Sequence, residues 1–237
     1  MKLSAPIYQL KKRAKRMVRN DGVPLHQALD TIAREEGFTR WSLLSAHTTA
    51  GPLSQTLLSQ LNQGDMLLLA GRRGQGKTAL GLQLLLDAAR LDRKAVFFTL
   101  EFTETEARAH LRNSNGGLDE ICDKVEIVTS EEISADYIIR HLATAPAGSV
   151  AVIDYLQILD QRRSTPPLSE QISRLGAFAK QTRTILGFIS QIDRSFDPES
   201  KPLPDISDLR LPNLLDLGLF DKACFLHDGA AQLQNIV

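Results

Sequence analysis

The residues most clearly suited to chemistry lie in a glycine-rich stretch, GRRGQGKT, which fits the pattern G-x-x-x-x-G-K-[ST]. Glycines let consecutive backbone N–H groups curve around phosphate oxygens, and a following helix directs its positive end to the same place. Lys77 would neutralise charge on the β- and γ-phosphates during catalysis, and Thr78 would offer a hydroxyl to Mg²⁺. An apolar run before the stretch and a helical pattern after it argue against a chance turn. We therefore predict a site for a nucleoside triphosphate with Mg²⁺, formed by Gly71, Arg72, Arg73, Gly74, Gln75, Gly76, Lys77 and Thr78.

Three further polar residues stand at the ends of apolar runs, where they could reach a bound triphosphate. Asp154 ends the run SVAVID and is predicted to ligate the metal beside Thr78, although an aspartate in this position can also simply cap a loop. Glu101 follows AVFFTL and is the predicted catalytic base for the attacking water; the alternative is a favourable charge at a helix N-terminus near Thr103. Gln191 ends ILGFISQ and would sense the γ-phosphate, unless it is a solvent-facing loop amide.

The elements that must position these residues are short apolar runs alternating with longer helical patterns. The predicted strands cover residues 66–70, 95–100, 125–129, 150–153 and 185–190. Runs that are apolar on both faces and separated by helices are typical of an α/β fold with a mostly parallel sheet covered by helices. Ligands of such sheets bind beyond the carboxyl ends of the strands, where the polar loops 160–168 and 193–206 also lie.

Residues 1–50 predict a separate, small helical unit. An amphipathic helix over residues 5–20 has one apolar stripe, made of Ile7, Leu10, Ala14, Met17 and Val18. A second helix begins at Pro24, with Leu25, Ala28, Leu29 and Ile32 as its buried face, and Thr39 could cap a third, short helix. Gly51-Pro52 would form the hinge to a domain covering residues 53–237. The basic helix could bind nucleic-acid phosphates, dock on the nucleotide-binding domain of a neighbouring copy, or only pack its apolar face within the unit.

Composition excludes several classes of protein. The 237 residues contain 28 Lys+Arg and 28 Asp+Glu, so no overall basic excess indicates nucleic-acid binding, although residues 1–50 carry a net charge of +5. Cys122 and Cys224 are too few for a disulfide framework or a metal cluster, and the five histidines share no ligand spacing. No apolar run approaches the roughly 20 residues of a membrane span, and no secretory signal is present. We expect a cytoplasmic protein without a membrane partner.

Several segments together resemble the RecA-like ATPase domain of DnaB-type replicative DNA helicases. They are NQGDMLLLAGRRGQGKTALGLQLLLDAA, FFTLEF with the glutamate Glu101, and VAVIDYLQIL with the metal-binding Asp154. The segment SRLGAFAKQTRTILGFISQIDRS is similar to the one that leads into the family's Ser-Gln-Leu-Asn-Arg signature, and Ser207–Arg210 and Asp221 match later positions. The resemblance covers about residues 53–228 in the family's order.

This resemblance implies a RecA-like P-loop NTPase fold and ATP hydrolysis coupled to movement along single-stranded DNA by a hexameric ring. Loops 160–168 and 193–206 would then face a central channel and contact phosphates through Arg162, Arg163, Arg194 and Lys201. Acidic residues in the second loop leave open the alternative that both loops are merely solvated.

The sequence departs from the family in two places. No Lys or Arg follows Lys222, so the family's Lys-x-Arg finger has no counterpart, and we expect slow hydrolysis unless another residue replaces it. Residues 1–50 are too short for the family's primase-binding domain. Two functions therefore stay open: a DNA-stimulated, oligomeric motor ATPase, and a nucleotide-gated binding module or regulator with weak or no hydrolysis and no unwinding.

Overall fold

The computed structural model describes residues 4–5, 7–41, 44, 57–114, 119–160, 166–193, 195–197, 201, 203–209 and 215–236. Its helices are α1 (Ile7–Asp21), α2 (Leu25–Glu35), α3 (Lys77–Arg90), α4 (Glu104–Ser114), α5 (Asp119–Asp123), α6 (Ala135–Leu142) and α7 (Leu168–Thr182). Its strands are β1 (Met66–Gly71), β2 (Ala95–Thr99), β3 (Val125–Val128), β4 (Val150–Asp154), β5 (Ile185–Gln191), β6 (Lys222–His227) and β7 (Ala230–Asn235). Short 3₁₀ helices cover Leu156–Asp160, Ile206–Asp208 and Leu217–Leu219.

The strands form one sheet of seven strands in the order β3-β2-β4-β5-β1-β6-β7. All neighbouring pairs are parallel except β6 and β7, which form an antiparallel hairpin. The five strands predicted from the apolar runs are all present, with ends that differ by one residue at most. The predicted α/β fold with a mostly parallel sheet is confirmed.

Helices cover both faces of the sheet because the central strands alternate between two apolar layers. On β1, Leu68 and Ala70 face the layer that contains α6 and α7, whereas Leu67 and Leu69 face the layer that contains α3 and α4. Strand β4 alternates in the same way. Burial on both faces explains why these strands consist almost entirely of apolar residues rather than alternating with polar ones.

The N-terminal helices α1 and α2 form a third apolar cluster of their own. Its buried members are Leu10, Ala14, Ala28, Ile32, Ala33 and Leu44. The predicted stripe of α1 is therefore correct at the positions whose side chains are described. The prediction for Leu25 is wrong: this side chain is 45% exposed at the first residue of α2, beyond the reach of the cluster. The third predicted helix falls largely on residues 42–43 and 45–50, outside the part of the chain that the structure describes.

The hairpin of β6 and β7 was not predicted from the sequence. Strand β6 lies against β1 in parallel and is buried along its whole length, and β7 pairs with it through the turn at Asp228 and Gly229. The segment HDGAAQLQNIV, in which no strand was expected, thus contains an edge strand of the sheet. Within the described ranges, no helix combines the length and apolar character that crossing a membrane requires.

Candidate nucleotide site

The glycine-rich loop lies between β1 and α3, as the motif requires. β1 ends at Gly71 and α3 begins at Lys77, so the backbone turns within residues 72–76. Gly74 and Gly76 have φ values of 78° and 86°, a conformation that disfavours residues with a side chain. Gly71 has another constraint, since a Cβ at this position would lie 2.9 Å from the carbonyl oxygen of Leu226 on β6. The loop is therefore held close to β6 by a glycine that allows the two backbones to approach.

Lys77 lies over this loop. Its Nζ donates a hydrogen bond of 3.0 Å to the carbonyl oxygen of Arg72, at the opposite end of the loop. Burial lowers the pKa of Lys77, and the nearby carboxylates of Asp154 and Glu101 act in the opposite direction. A half-buried ammonium group in a loop of backbone N–H donors is suited to phosphate oxygens.

Thr78 and Asp154 meet where the metal was predicted. The Thr78 hydroxyl donates a hydrogen bond of 2.8 Å to Oδ2 of Asp154, although the two residues come from different elements, α3 and β4. Asp154 is 1% exposed, and burial raises its pKa to about 6; the Thr78 hydrogen bond lowers it, Glu101 raises it and Lys77 lowers it.

This donor pair fits Mg²⁺. A carboxylate and a hydroxyl are hard oxygen ligands, and Mg²⁺ usually takes one or two protein ligands and completes its shell with phosphates and water. The described residues hold no cluster of three or more His, Cys, Asp or Glu side chains that could bind a metal without such a substrate. Thr78 and Asp154 are thus the residues that would hold Mg²⁺ together with a nucleotide.

Glu101 lies just beyond the end of β2 and is exposed. Its influence on the pKa of both Lys77 and Asp154 places its carboxylate near the two groups. At the N-terminus of α4, Thr103 and Glu106 cap the helix through mutual hydrogen bonds of 2.8–3.3 Å. Glu101 precedes this cap and lies at the open edge of the site.

Gln191 is the last residue of β5 and lies directly opposite Gly71 in the register with β1. The sheet thus brings Gln191 beside the first residue of the phosphate loop. Two buried side-chain atoms near these strand ends have no hydrogen-bond partner among the described residues. They are Oγ of Ser190, next to Gln191, and Oε1 of Gln157, three residues after Asp154.

Of the four residues predicted to bind nucleic acid, the structure describes Lys201 alone. Arg162, Arg163 and Arg194 lie outside the described residues. Lys201 forms ion pairs with Asp205 at 2.8 Å and with Asp208 at 2.6 Å. Hydrogen bonds that Lys201 donates to these two aspartates raise its pKa, and its charge is compensated by them.

Sequence reasoning missed a group of residues on the other side of the phosphate loop. Phe196 accepts a hydrogen bond from the Arg72 guanidinium at its carbonyl oxygen, and its ring lies 5.2 Å from that of His227. Asp228 donates its backbone N–H to Oε1 of Gln75 over 2.8 Å. The Asp-Gly turn was the available signal for these neighbours, because Asp-Gly between two strands is typical of a hairpin.

Three comparisons with known proteins agree with the fold. A family model described as "ATPase: KaiC" matches residues 48–202. Replicative DNA helicase DnaB of Mycoplasma genitalium is 27% identical over 206 residues, which cover 72% of this chain and 44% of that protein. The protein of the same name from Mycoplasma pneumoniae is 26% identical over 216 residues, covering 74% and 45%. The chain therefore spans less than half the length of these curated relatives.

Two solved structures share the fold. One, described as an ATPase domain, has a TM-score of 0.60 at 20% identity, and the match covers 86% of this chain and 83% of that one. The other, a DnaB-like replicative helicase studied for its interactions with primase, has a TM-score of 0.59 at 18% identity and covers 92% and 65%. The chain belongs to the KaiC family of RecA-like ATPases, and its ATPase domain is a distant relative of that of the DnaB replicative helicases.

Proposed function

We propose that this chain binds Mg²⁺·ATP in the loop of residues 71–78 and hydrolyses it. The observation that carries the proposal is the 2.8 Å hydrogen bond between Thr78 and Asp154, beside the half-buried Lys77. A hydroxyl, a buried carboxylate and an ammonium group meet at one end of a parallel sheet, which is the arrangement that phosphoryl transfer from a nucleotide requires.

Each residue has a distinct role in this proposal. The backbone N–H groups of residues 71–78 and the ammonium group of Lys77 bind the phosphates, and Lys77 stabilises the charge that develops on them. Glu101 accepts a proton from the attacking water, and Gln191 contacts the γ-phosphate from the neighbouring strand. Bound Mg²⁺, held by Thr78 and Asp154, would neutralise phosphate charge and orient the β- and γ-phosphates.

Likeness to proteins named replicative DNA helicases supports single-stranded DNA as a partner and a homo-oligomer, with a hexameric ring as one form. On this proposal the protein works in the cytoplasm, and the loops with Arg162, Arg163, Arg194 and Lys201 contact the DNA backbone. To contact a phosphate, the ammonium group of Lys201 would have to leave Asp205 and Asp208.

Steady-state ATP hydrolysis with and without single-stranded DNA, at two salt concentrations, tests the proposal. We expect Lys77→Ala to lose nucleotide binding, and Glu101→Gln to bind nucleotide but lose turnover. Lys124→Ala and Glu132→Gln, which change exposed residues away from the site, are matched controls. Unchanged turnover in Lys77→Ala would refute the site, and unchanged turnover in Glu101→Gln would place the base elsewhere. DNA stimulation that fades with salt would indicate phosphate contacts.

A second candidate is a nucleotide-gated binding module with weak hydrolysis. The compensated charge of Lys201 favours it, since this is the one predicted DNA contact within the described residues. Size-exclusion chromatography with and without Mg²⁺·ATP separates the two functions. Nucleotide-dependent assembly supports the motor, whereas a monomer under both conditions, together with a slow rate that DNA does not change, supports the binding module.

A further inference from the structure

A chain of polar contacts joins the N-terminal helix to the phosphate loop. Nζ of Lys11 on α1 lies 2.9 Å from Oδ1 of Asp228, in the turn between β6 and β7. The backbone N–H of the same Asp228 donates to Oε1 of Gln75, over 2.8 Å. Three segments far apart in sequence therefore meet at the edge of the nucleotide site: α1, the hairpin turn and the loop of residues 71–78.

The charges around this turn are unevenly distributed. Although burial opposes ionisation of Asp228, the hydrogen bond and positive charge of Lys11 lower its pKa, so this carboxylate is ionised at neutral pH. The preceding residue, His227, is 9% exposed, and burial lowers its pKa; the Asp228 carboxylate raises it, whereas the nearby cations Arg72, Lys11 and Lys15 lower it further. His227 is therefore uncharged at neutral pH, and Lys11 is the direct partner of the Asp228 carboxylate.

A carboxylate next to a phosphate-binding loop is unfavourable for an incoming triphosphate unless a cation compensates its charge. We propose that Lys11 is a positioning residue of the nucleotide site, which acts by neutralising Asp228 in the turn that contacts Gln75. This inference rests on the proposed ATP binding. It extends the site to the N-terminal helical unit through the charge of Lys11.

The size of the effect follows from the position of the pair. Lys11 and Asp228 are partly exposed, with side-chain exposures of 31% and 38%. One uncompensated charge beside the phosphate loop, near the protein surface, would weaken binding of Mg²⁺·ATP about three- to tenfold. Screening reduces such an effect as ionic strength rises, so the difference should shrink between low and high salt.

The test is titration of the full chain with a fluorescent ATP analogue and Mg²⁺. We expect Lys11→Ala to bind about three- to tenfold more weakly and Lys11→Arg to bind like the wild type. Lys12→Ala is the matched control, because Lys12 is exposed on the same helix and has no carboxylate partner within the described residues. In Lys11→Ala/Asp228→Asn, affinity should return to within about twofold of Asp228→Asn alone, since the repelling charge is gone.

Two outcomes would overturn the inference while leaving ATP binding intact: wild-type affinity in Lys11→Ala, or a double variant as weak as Lys11→Ala. The second result is what simple detachment of α1 would give, because both variants lack the ion pair. Circular dichroism of each variant verifies that it folds. If the wild type itself binds no nucleotide, or if Lys77→Ala binds as well as the wild type, the proposed function fails and the role of Lys11 with it.

Discussion

Replacing Asp154 by Asn should stabilise the metal-free protein while removing its function. The carboxylate is 1% exposed, and burial raises its pKa from 3.8 to about 6. A carboxylate whose pKa is higher in the folded state than in the unfolded state favours folding less and less as pH rises through that interval. At pH values above this interval, the wild type holds an ionised carboxylate in a buried position that favours the neutral form. Asparagine stays neutral there and can still accept the Thr78 hydrogen bond.

The magnitude follows from the two pKa values. At 1.36 kcal/mol for each tenfold change in proton affinity, the raised pKa costs the folded wild type about 3 kcal/mol at pH 8 and about 1 kcal/mol near pH 4.5. The free energy of unfolding of Asp154→Asn should therefore exceed that of the wild type by these amounts at the two pH values. For a chain of this size, about 3 kcal/mol corresponds to a rise in Tm of roughly 6–12 °C.

Urea unfolding in the presence of EDTA, at a series of pH values from 4.5 to 8, measures this difference directly. Glu120→Gln, which changes an exposed carboxylate, is the control and should show no such trend. Adding Mg²⁺·ATP should reverse the order, because ligand binding stabilises only the variant that binds it. A difference that is absent at pH 8, or that does not depend on pH, would refute the assignment of Asp154 as a buried, destabilising carboxylate.

Three other predictions concern the packing around β6. In the wild type, Nζ of Lys222 lies 2.6 Å from the buried carboxylate of Asp65. Lys222→Met should lower the free energy of unfolding by about 3–5 kcal/mol, because it leaves this carboxylate without its cation. A loss below about 1 kcal/mol in chemical denaturation would contradict this. Gly71→Ala should lower the free energy of unfolding by about 1–3 kcal/mol, since its Cβ would lie 2.9 Å from the Leu226 carbonyl oxygen, and it should also weaken nucleotide binding. Chemical unfolding measures the first effect and nucleotide titration the second. Wild-type values in both would show that β6 moves freely. Cys224 is fully buried, and burial raises the pKa of its thiol to about 12, so iodoacetamide should modify it only when urea unfolds the chain; modification of the native protein would show that β6 opens locally.

The central strands β1, β2, β4 and β5 were predictable because they are apolar and buried on both faces. Strand β1 and strand β4 consist of apolar residues up to the residue that enters the site, so their ends mark Gly71 and Asp154. The glycine-rich motif then determined the turn between β1 and α3. These features depend on residues near each other in the sequence, and a pattern can therefore reveal them.

The hairpin was less visible for a physical reason. β6 reads KACFLH, whose apolar run is only four residues long and holds no β-branched residue, while β7 reads AAQLQN and alternates only weakly as a sheet edge. The contact between Lys11 and Asp228 had no sequence signal at all, because it joins two surface residues brought together only by the fold. For Lys201 a signal did exist: Asp205 and Asp208 follow it closely in the same loop.

The strand order also determines when the nucleotide site can form during folding. β1, which leads into the phosphate loop, has no neighbour close in sequence: its partners are β5 and β6, in the registers Met66↔Leu186 and Leu67↔Lys222. Contacts between residues so distant in the chain form slowly, because a long segment must be closed first. During synthesis, Gly71 and Lys77 leave the ribosome long before the strands that fix them in place. Nucleotide binding at the proposed site would therefore report that the centre of the sheet is complete.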